Sequence, residues 1–176
     1  MSTTKITPRV YAACLASYNA GILHGRWIDA DQDADDIRDE IAAMLAASPT
    51  PGAEEFAIHD HEGLGDIGEF ESIDRVAAIG QAVANAGDDA PALLAWLDND
   101  NANDPDEFAD HYTGQWESLA DFAEQFHDDC GDIPDGPLAA YIDWGAVGRD
   151  MGYSGDVWTS PARWRDGGGV YVFWNR

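Results

Sequence analysis

Arg9-Val10-Tyr11-Ala12-Ala13-Cys14-Leu15-Ala16-Ser17-Tyr18 strings apolar, aromatic and small residues together with no helical period, and Gly25-Arg26-Trp27-Ile28 resumes that character after a short break. The spacing predicts two strands joined across Asn19 to His24. The period then changes. Ile37, Ile41, Met44 and Leu45 recur at helical spacing over 33–47, the Asp run before them suits a helix N-terminus, and Ser48-Pro49-Thr50-Pro51-Gly52 stops the helix. Glu55 to Asp60 reads as a third strand. This opening mixes strands and a helix within about sixty residues, the size of a small subdomain that needs neighbours for stability.

Beyond it, His61 to Glu71 carries Gly63, Gly65 and Gly68 and reads as a loop and a subdomain boundary. Helices follow. Ser72 starts one through Ile73, Val76, Ala77 and Val83 that Gly87 ends, and Pro91 opens another through Leu93, Leu94, Trp96 and Leu97. Asp98 to Asn103 is an Asn/Asp linker, and Asp104-Pro105-Asp106-Glu107 has the order of a helix start. From Ser118 a helix buries Leu119, Phe122, Ala123 and Phe126 while Glu117, Asp121, Glu124 and Asp128 line its outside. A further helix is expected from Pro137 through Tyr141, Ile142 and Trp144 to Met151. Val157-Trp158 and Gly169 to Trp174 make a closing hairpin across Asp166-Gly167-Gly168, with Val170, Val172 and Trp174 alternating against Tyr171 and Phe173.

The 176 residues hold 34 acids and nine bases, a formal net charge of -25, yet 45% of them are hydrophobic and 11% aromatic, which excludes global disorder. Cys14 and Cys130 are too few and too isolated for a disulfide framework or zinc cage, so both are expected as reduced thiols. No apolar run reaches the ~20 residues of a membrane span, and the start leads into no signal-peptide core; a cytoplasmic protein with no membrane contact is expected. The charge is segregated. Residues 1–27 sum to +3, 28–148 to -29 and 149–176 to +1, which returns -25.

Little in the chain points to catalysis. Asp29, Asp31, Asp33 and Glu40 fall at the first, third, fifth and twelfth positions of a calcium loop, but Ala34 stands where its turn needs Gly. His59 and His61, with Asp60 and Glu62 beside them, could serve a small metal-dependent enzyme, but no third ligand stands at a recognisable spacing. Neither a phosphate loop nor a nucleophile elbow is found. No metal, no cofactor and no enzymatic activity are expected. Direct nucleic-acid binding needs a basic surface, and this one has the opposite sign.

That sign suggests an imitation of nucleic acid. Duplex DNA carries one charge per ~1.7 Å of axis, and a helical row such as Glu117, Asp121, Glu124 and Asp128 repeats at about one turn, ~5.4 Å. Two copies at -50 match at most roughly 85 Å of duplex, about 25 base pairs. The competing reading is a general acidic coat of the halophile kind, which predicts acids spread evenly over the surface.

Val10-Tyr11-Ala12-Ala13-Cys14-Leu15-Ala16-Ser17-Tyr18-Asn19-Ala20-Gly21, Gly25-Arg26-Trp27 and Phe56-Ala57-Ile58-His59-Asp60 resemble the N-terminal part of the ArdA antirestriction proteins. Asp121-Phe122-Ala123-Glu124-Gln125-Phe126, Tyr141-Ile142-Asp143-Trp144, Gly148-Arg149-Asp150-Met151 and Ser154-Gly155-Asp156-Val157 come after them in the family's order. The resemblance implies an α+β fold, an elongated chain of three small subdomains: an N-terminal α+β piece (1–70), a central helical piece (71–112) and a C-terminal α+β piece (113–176) through which the chain forms a homodimer. It implies a non-enzymatic mimic of bent DNA that occupies the DNA-binding cleft of type I restriction-modification enzymes, at their methyltransferase core, and so protects incoming mobile DNA. The family's antirestriction motif carries over to Asp121 and Glu124. Around them the helical geometry and the acidic flanks add Asp98, Asp100, Asp104, Asp106, Glu107, Asp110, Glu117, Asp128, Asp129 and Asp132 as the candidate enzyme-binding surface. Tyr171, Phe173 and Trp174 are assigned to the core or the dimer seam. The 63–68 loop, the 98–103 linker and the 160–169 connection are longer than the family's usual spacing.

Overall fold

The computed structural model describes residues 5–99, 104–163 and 167–175. Its chain divides into two compact units, residues 1–106 and 107–176, each an α+β unit built on a three-stranded antiparallel sheet.

In the first unit, β1 (Arg9–Cys14) lies between β2 (Gly25–Asp29) and β3 (Phe56–Glu62). Val10 faces Ile28 and Tyr11 faces Trp27 in the β1–β2 register, and the Tyr11 and Trp27 rings meet edge-on at 5.6 Å. The first strand is shorter than the sequence suggests. It stops at Cys14, whose sulfur accepts the Ser17 amide at 3.5 Å and opens the short helix α1 (Leu15–Asn19); burial pushes that thiol's pKa up, but the bonds from Ser48 and Ser17 outweigh it and leave it lowered. In the β1–β3 register Ala12 pairs with Ile58 and Tyr11 with Asp60, so His59 is the extra residue of a bulge.

Helix α2 (Ala34–Ala46) buries Ile37, Ile41 and Met44 against β1 and β2. Helix α3 (Ile73–Ala86) starts at the Ser72 cap and ends at Gly87 as expected, and packs on α2; α4 (Ala90–Leu97) packs on α3 through its Leu93 face. The approach is tight at Gly80, where a Cβ would lie 2.2 Å from the Ala30 carbonyl oxygen. No side chain fits there.

The expected helix at Asp104-Pro105 is short: a single 3-10 turn, Pro105–Glu107, then α5 (Phe108–His111). Directly after α5 the chain forms β4 (Tyr112–Trp116), a strand of the second unit that the residue pattern does not predict. There β6 (Val170–Trp174) lies between β4 and β5 (Val157–Pro161), so the expected hairpin forms and gains a third strand; Asp166 of its turn lies outside the described residues. The alternation of β6 is as expected. Val172 packs with Phe122 and Val157, and Val170 and Trp174 border the same cluster. Phe173, fully buried, stacks on Trp158 at 4.2 Å and lies 5.5 Å from Tyr112.

Two helices cover the Val172 face, α6 (Leu119–Cys130) and α7 (Trp144–Ser154). The long helix expected from Pro137 to Met151 is interrupted. A 3-10 segment, Pro137–Tyr141, ends at extended Ile142, and Asp143 caps α7 by accepting the Ala146 amide at 2.9 Å. At the α6–α7 crossing a Cβ on Gly148 would stand 2.7 Å from the Leu119 carbonyl oxygen, so a glycine there lets the two backbones touch. Among the described residues no helix is long and apolar enough to cross a membrane.

Candidate functional site

Four of the candidate acids, Asp121, Glu124, Asp128 and Asp129, ride on α6, and its first turn explains part of the pattern. Ser118 is extended, its hydroxyl oxygen accepts the Asp121 amide at 3.3 Å, and its hydroxyl donates to the Asp121 carboxylate. Asp121 at the third helical position thus bonds back to the hydroxyl of its own cap and also faces the positive end of the helix dipole. The carboxylate has a structural partner as well as an exposed position. Glu117 lies before the cap, outside the helix, which corrects its expected place in the helical row.

On the helix proper the row is Asp121, Glu124 and Asp128, rising about 4.5 and 6 Å along the axis at 1.5 Å per residue. Glu124 and Asp128 are exposed and, among the described residues, make no side-chain hydrogen bond or ion pair. Their neighbours are more engaged. Asp129 accepts from Gln125 Nε2 at 2.8 Å, and Asp132, past the Gly131 cap, stands 3.3 Å from His127 Nδ1. The apolar side is as the sequence predicts: Phe122 and Ala123 are buried, and Leu119 and Phe126 are packed against the core.

The other candidates fall on both units. Asp98 Oδ1 accepts the Asp66 amide at 3.0 Å and pins the glycine loop after β3. Asp104 Oδ1 accepts the Asp106 amide at 3.0 Å, while the Asp104 carbonyl receives the Trp96 indole at 3.2 Å. Asp106, Glu107 and Asp110 are exposed around the 3-10 turn and α5. Asp100 lies outside the described residues. All eleven described candidates are exposed. Tyr171 and Phe173, by contrast, are interior to their own sheet, and Trp174 sits half-buried 5.1 Å from Phe126.

A second acidic surface, with no motif in the sequence to mark it, lies ahead of α2 and on its first turns. At the start of α2, Asp31, Asp33, Asp35, Asp36 and Asp39 are all exposed; the run was legible, but only as a cap and a failed calcium loop. Residues 1–106 hold 21 acids and five bases, a sum of -16, and 107–176 hold 13 acids and four bases, a sum of -9. Every arginine of the first unit is in an ion pair: Arg9 with Glu62 at 2.8 Å, Arg26 with Glu40 at 2.9 Å, Arg38 with Asp35 at 2.8 Å and with Asp74, and Arg75 with Glu71 at 3.7 Å. The hydrogen bond donated by Arg9 lowers the Glu62 pKa, and the bonds Arg38 donates to Asp74 and Asp35 raise its own.

Glu40, the twelfth position of the calcium-loop pattern, is thereby taken by Arg26 and by Gln32 Nε2 at 2.9 Å. His59 stands 3.6 Å from Glu69 and edge-on to Tyr18 at 4.7 Å. Among the described residues no three His, Cys, Asp or Glu side chains are grouped to hold a metal ion.

No curated protein matches the chain closely. A family model described as antirestriction protein (ArdA) matches residues 10–162, most of the sequence and parts of both units. The chain therefore belongs to the ArdA family of antirestriction proteins.

Proposed function

We propose that the protein inhibits type I restriction-modification enzymes by occupying their DNA-binding cleft as a mimic of the duplex, without turnover and without a cofactor. The observation that carries this reading is the exposed row on α6. Glu124 and Asp128 follow Asp121 at helical spacing and face solvent without a side-chain partner among the described residues, so their negative charge is available to a basic cleft. Ionised carboxylates in phosphate-like positions gain affinity from counterion release, which makes binding fall steeply with salt. In the cytoplasm, this inhibition shields incoming mobile DNA.

The three-subdomain division (1–70, 71–112, 113–176) and a homodimer through the C-terminal part belong to the same proposal. With Tyr171 and Phe173 interior to the unit, the surface better suited to a second copy is the exposed apolar group Leu138, Tyr141 and Tyr153. Tyr153 also lines a groove of about 340 Å³ along α7 and β5, together with Arg149 and Trp158. Arg149 makes no ion pair among the described residues and can meet a carboxylate of the partner.

The test is displacement of duplex DNA from a type I methyltransferase core at near-stoichiometric protein, followed across salt. DNA that stays bound under excess protein at low salt ends the proposal. A second reading, a general acidic coat, is favoured by the similar charge density of the two units, -16 over 106 residues and -9 over 70. It predicts that neutralising the α2 acids and neutralising the α6 row affect inhibition equally little.

A further inference from the structure

The first unit exposes apolar side chains that neither its core nor its acidic surface explains. Leu23 is 90% exposed, Phe70 74%, Tyr18 55% and Ile22 43%. They belong to one neighbourhood. The Ile22 amide donates to the Ser17 carbonyl at 2.9 Å, next to Tyr18. Tyr18 meets the His59 ring at 4.7 Å, and His59 in turn stands 3.6 Å from Glu69, the residue before Phe70. The Glu69 carbonyl receives the Ile58 amide at 2.8 Å, which fixes the Phe70 segment beside β3. The segments are rigidly attached: Ser17, fully buried, bonds the hydroxyls of Ser48 and Thr50 at 2.9 Å each, and the Leu15 amide donates to Glu55 at 3.0 Å. Ordered apolar groups clustered at the surface of a soluble unit mark a contact site.

The charges nearby choose the occupant. Glu54, Glu55, Glu69 and Asp60 are exposed on the same segments, and Arg26, at the start of β2 just after Leu23 in sequence, is held by Glu40. A second copy of the chain would bring the same carboxylates against these and be repelled, as would a nucleic acid or an anionic membrane. Resting on the proposed inhibition, we infer that Leu23, Phe70, Tyr18 and Ile22 form an apolar anchor for the restriction-modification enzyme itself, seated in a pocket rimmed by lysine and arginine. This contact is one that DNA does not make. The mimic therefore has a salt-independent share of affinity in addition to its carboxylates.

The test compares the unmodified protein, Leu23→Gln/Phe70→Gln and Glu124→Gln/Asp128→Asn in displacing duplex DNA from a type I methyltransferase over a salt series. For the Leu23→Gln/Phe70→Gln variant we expect an unchanged melting temperature and a loss of potency of about ten- to a hundredfold that is the same at every salt concentration, because apolar burial is not screened. Equal potency of this variant and the unmodified protein overturns the anchor while leaving the inhibition intact. Failure of the unmodified protein to displace DNA overturns both. A change in the sedimentation coefficient without loss of potency makes the patch a seam between copies and overturns the anchor as well.

Discussion

Neutralising Glu124 and Asp128 together, as Glu124→Gln/Asp128→Asn, separates binding from folding because the two effects have opposite signs. The pair stands at i and i+4 on α6, both exposed. Like charges at that spacing destabilise a helix by about 0.2–0.5 kcal/mol. Asp128 also lies in the last turn, where the dipole disfavours an anion by about 0.3–1 kcal/mol. Removing both charges should therefore stabilise the protein by roughly 0.5–1.5 kcal/mol, a rise of about 1–5 °C in melting temperature for a chain of this size. Binding should move the other way. At 0.2–1 kcal/mol per exposed pair the loss is about 0.4–2 kcal/mol, a factor of roughly 2 to 30. If each carboxylate stands for one phosphate, the slope of log affinity against log salt falls by at most about 1.8, since each contributes up to ~0.9. Thermal unfolding and the DNA-displacement assay read the two arms. A stabilised variant with unchanged potency and unchanged salt slope refutes the assignment of this row to the enzyme contact.

Gly148→Ala places a methyl 2.7 Å from the Leu119 carbonyl oxygen; backbone cannot yield as a side chain can, so about 1–3 kcal/mol of overpacking should appear as a lowered melting temperature. Ser118→Ala removes the α6 cap while leaving every carboxylate in place, and should cost about 1 kcal/mol in denaturant unfolding. Tyr141→Ser/Tyr153→Ser should shift the sedimentation coefficient to that of a monomer if these exposed rings, 84% and 88% accessible, seat the second copy. Acid titration of Glu62 by NMR should place its pKa below the ordinary glutamate range, because the Arg9 hydrogen bond favours the charged form. The associated stability is present above the unfolded-state pKa and is lost as pH falls through the folded-state value, and Arg9→Ala should abolish that part of the pH dependence.

Local signals were legible wherever one residue decides the backbone. Ser72, Ser118 and Gly87 mark helix ends in the sequence and in the structure. The period-2 alternation of 170–174 is the alternation of β6. The misreadings share a cause, a tertiary demand that overrides local preference. Tyr112-Thr113-Gly114-Gln115-Trp116 has a glycine at its centre and weak alternation, and it becomes a strand because β6 offers it an edge. The Cys14–Leu15 break in the first strand depends on a thiol acting as a cap, which no composition rule anticipates. On the acidic surface the residue types were plain, but their partners were not: Asp98 and Asp104 hold backbone amides 32 and two residues away, while among the described residues Glu124 and Asp128 hold none.

Salt should act on this molecule in two directions at once, and that opposition tests mimic against coat. With 34 acids and nine bases, the free protein repels itself, and screening that repulsion should raise its melting temperature as salt increases. A bound basic cleft supplies the same relief at low salt by direct neutralisation. The stabilisation it confers follows the logarithm of partner concentration over Kd. Six phosphate-like contacts lose on the order of 10³ in affinity between 50 and 200 mM salt, so that increment should shrink by about 4 kcal/mol while the free protein gains stability. Melting curves of the free protein and of its complex should converge with salt. A general acidic coat produces the first trend without the second: a complex whose stabilisation is indifferent to salt, beside a free protein that salt stabilises, would assign the carboxylates to solubility and leave the cleft without its ligand.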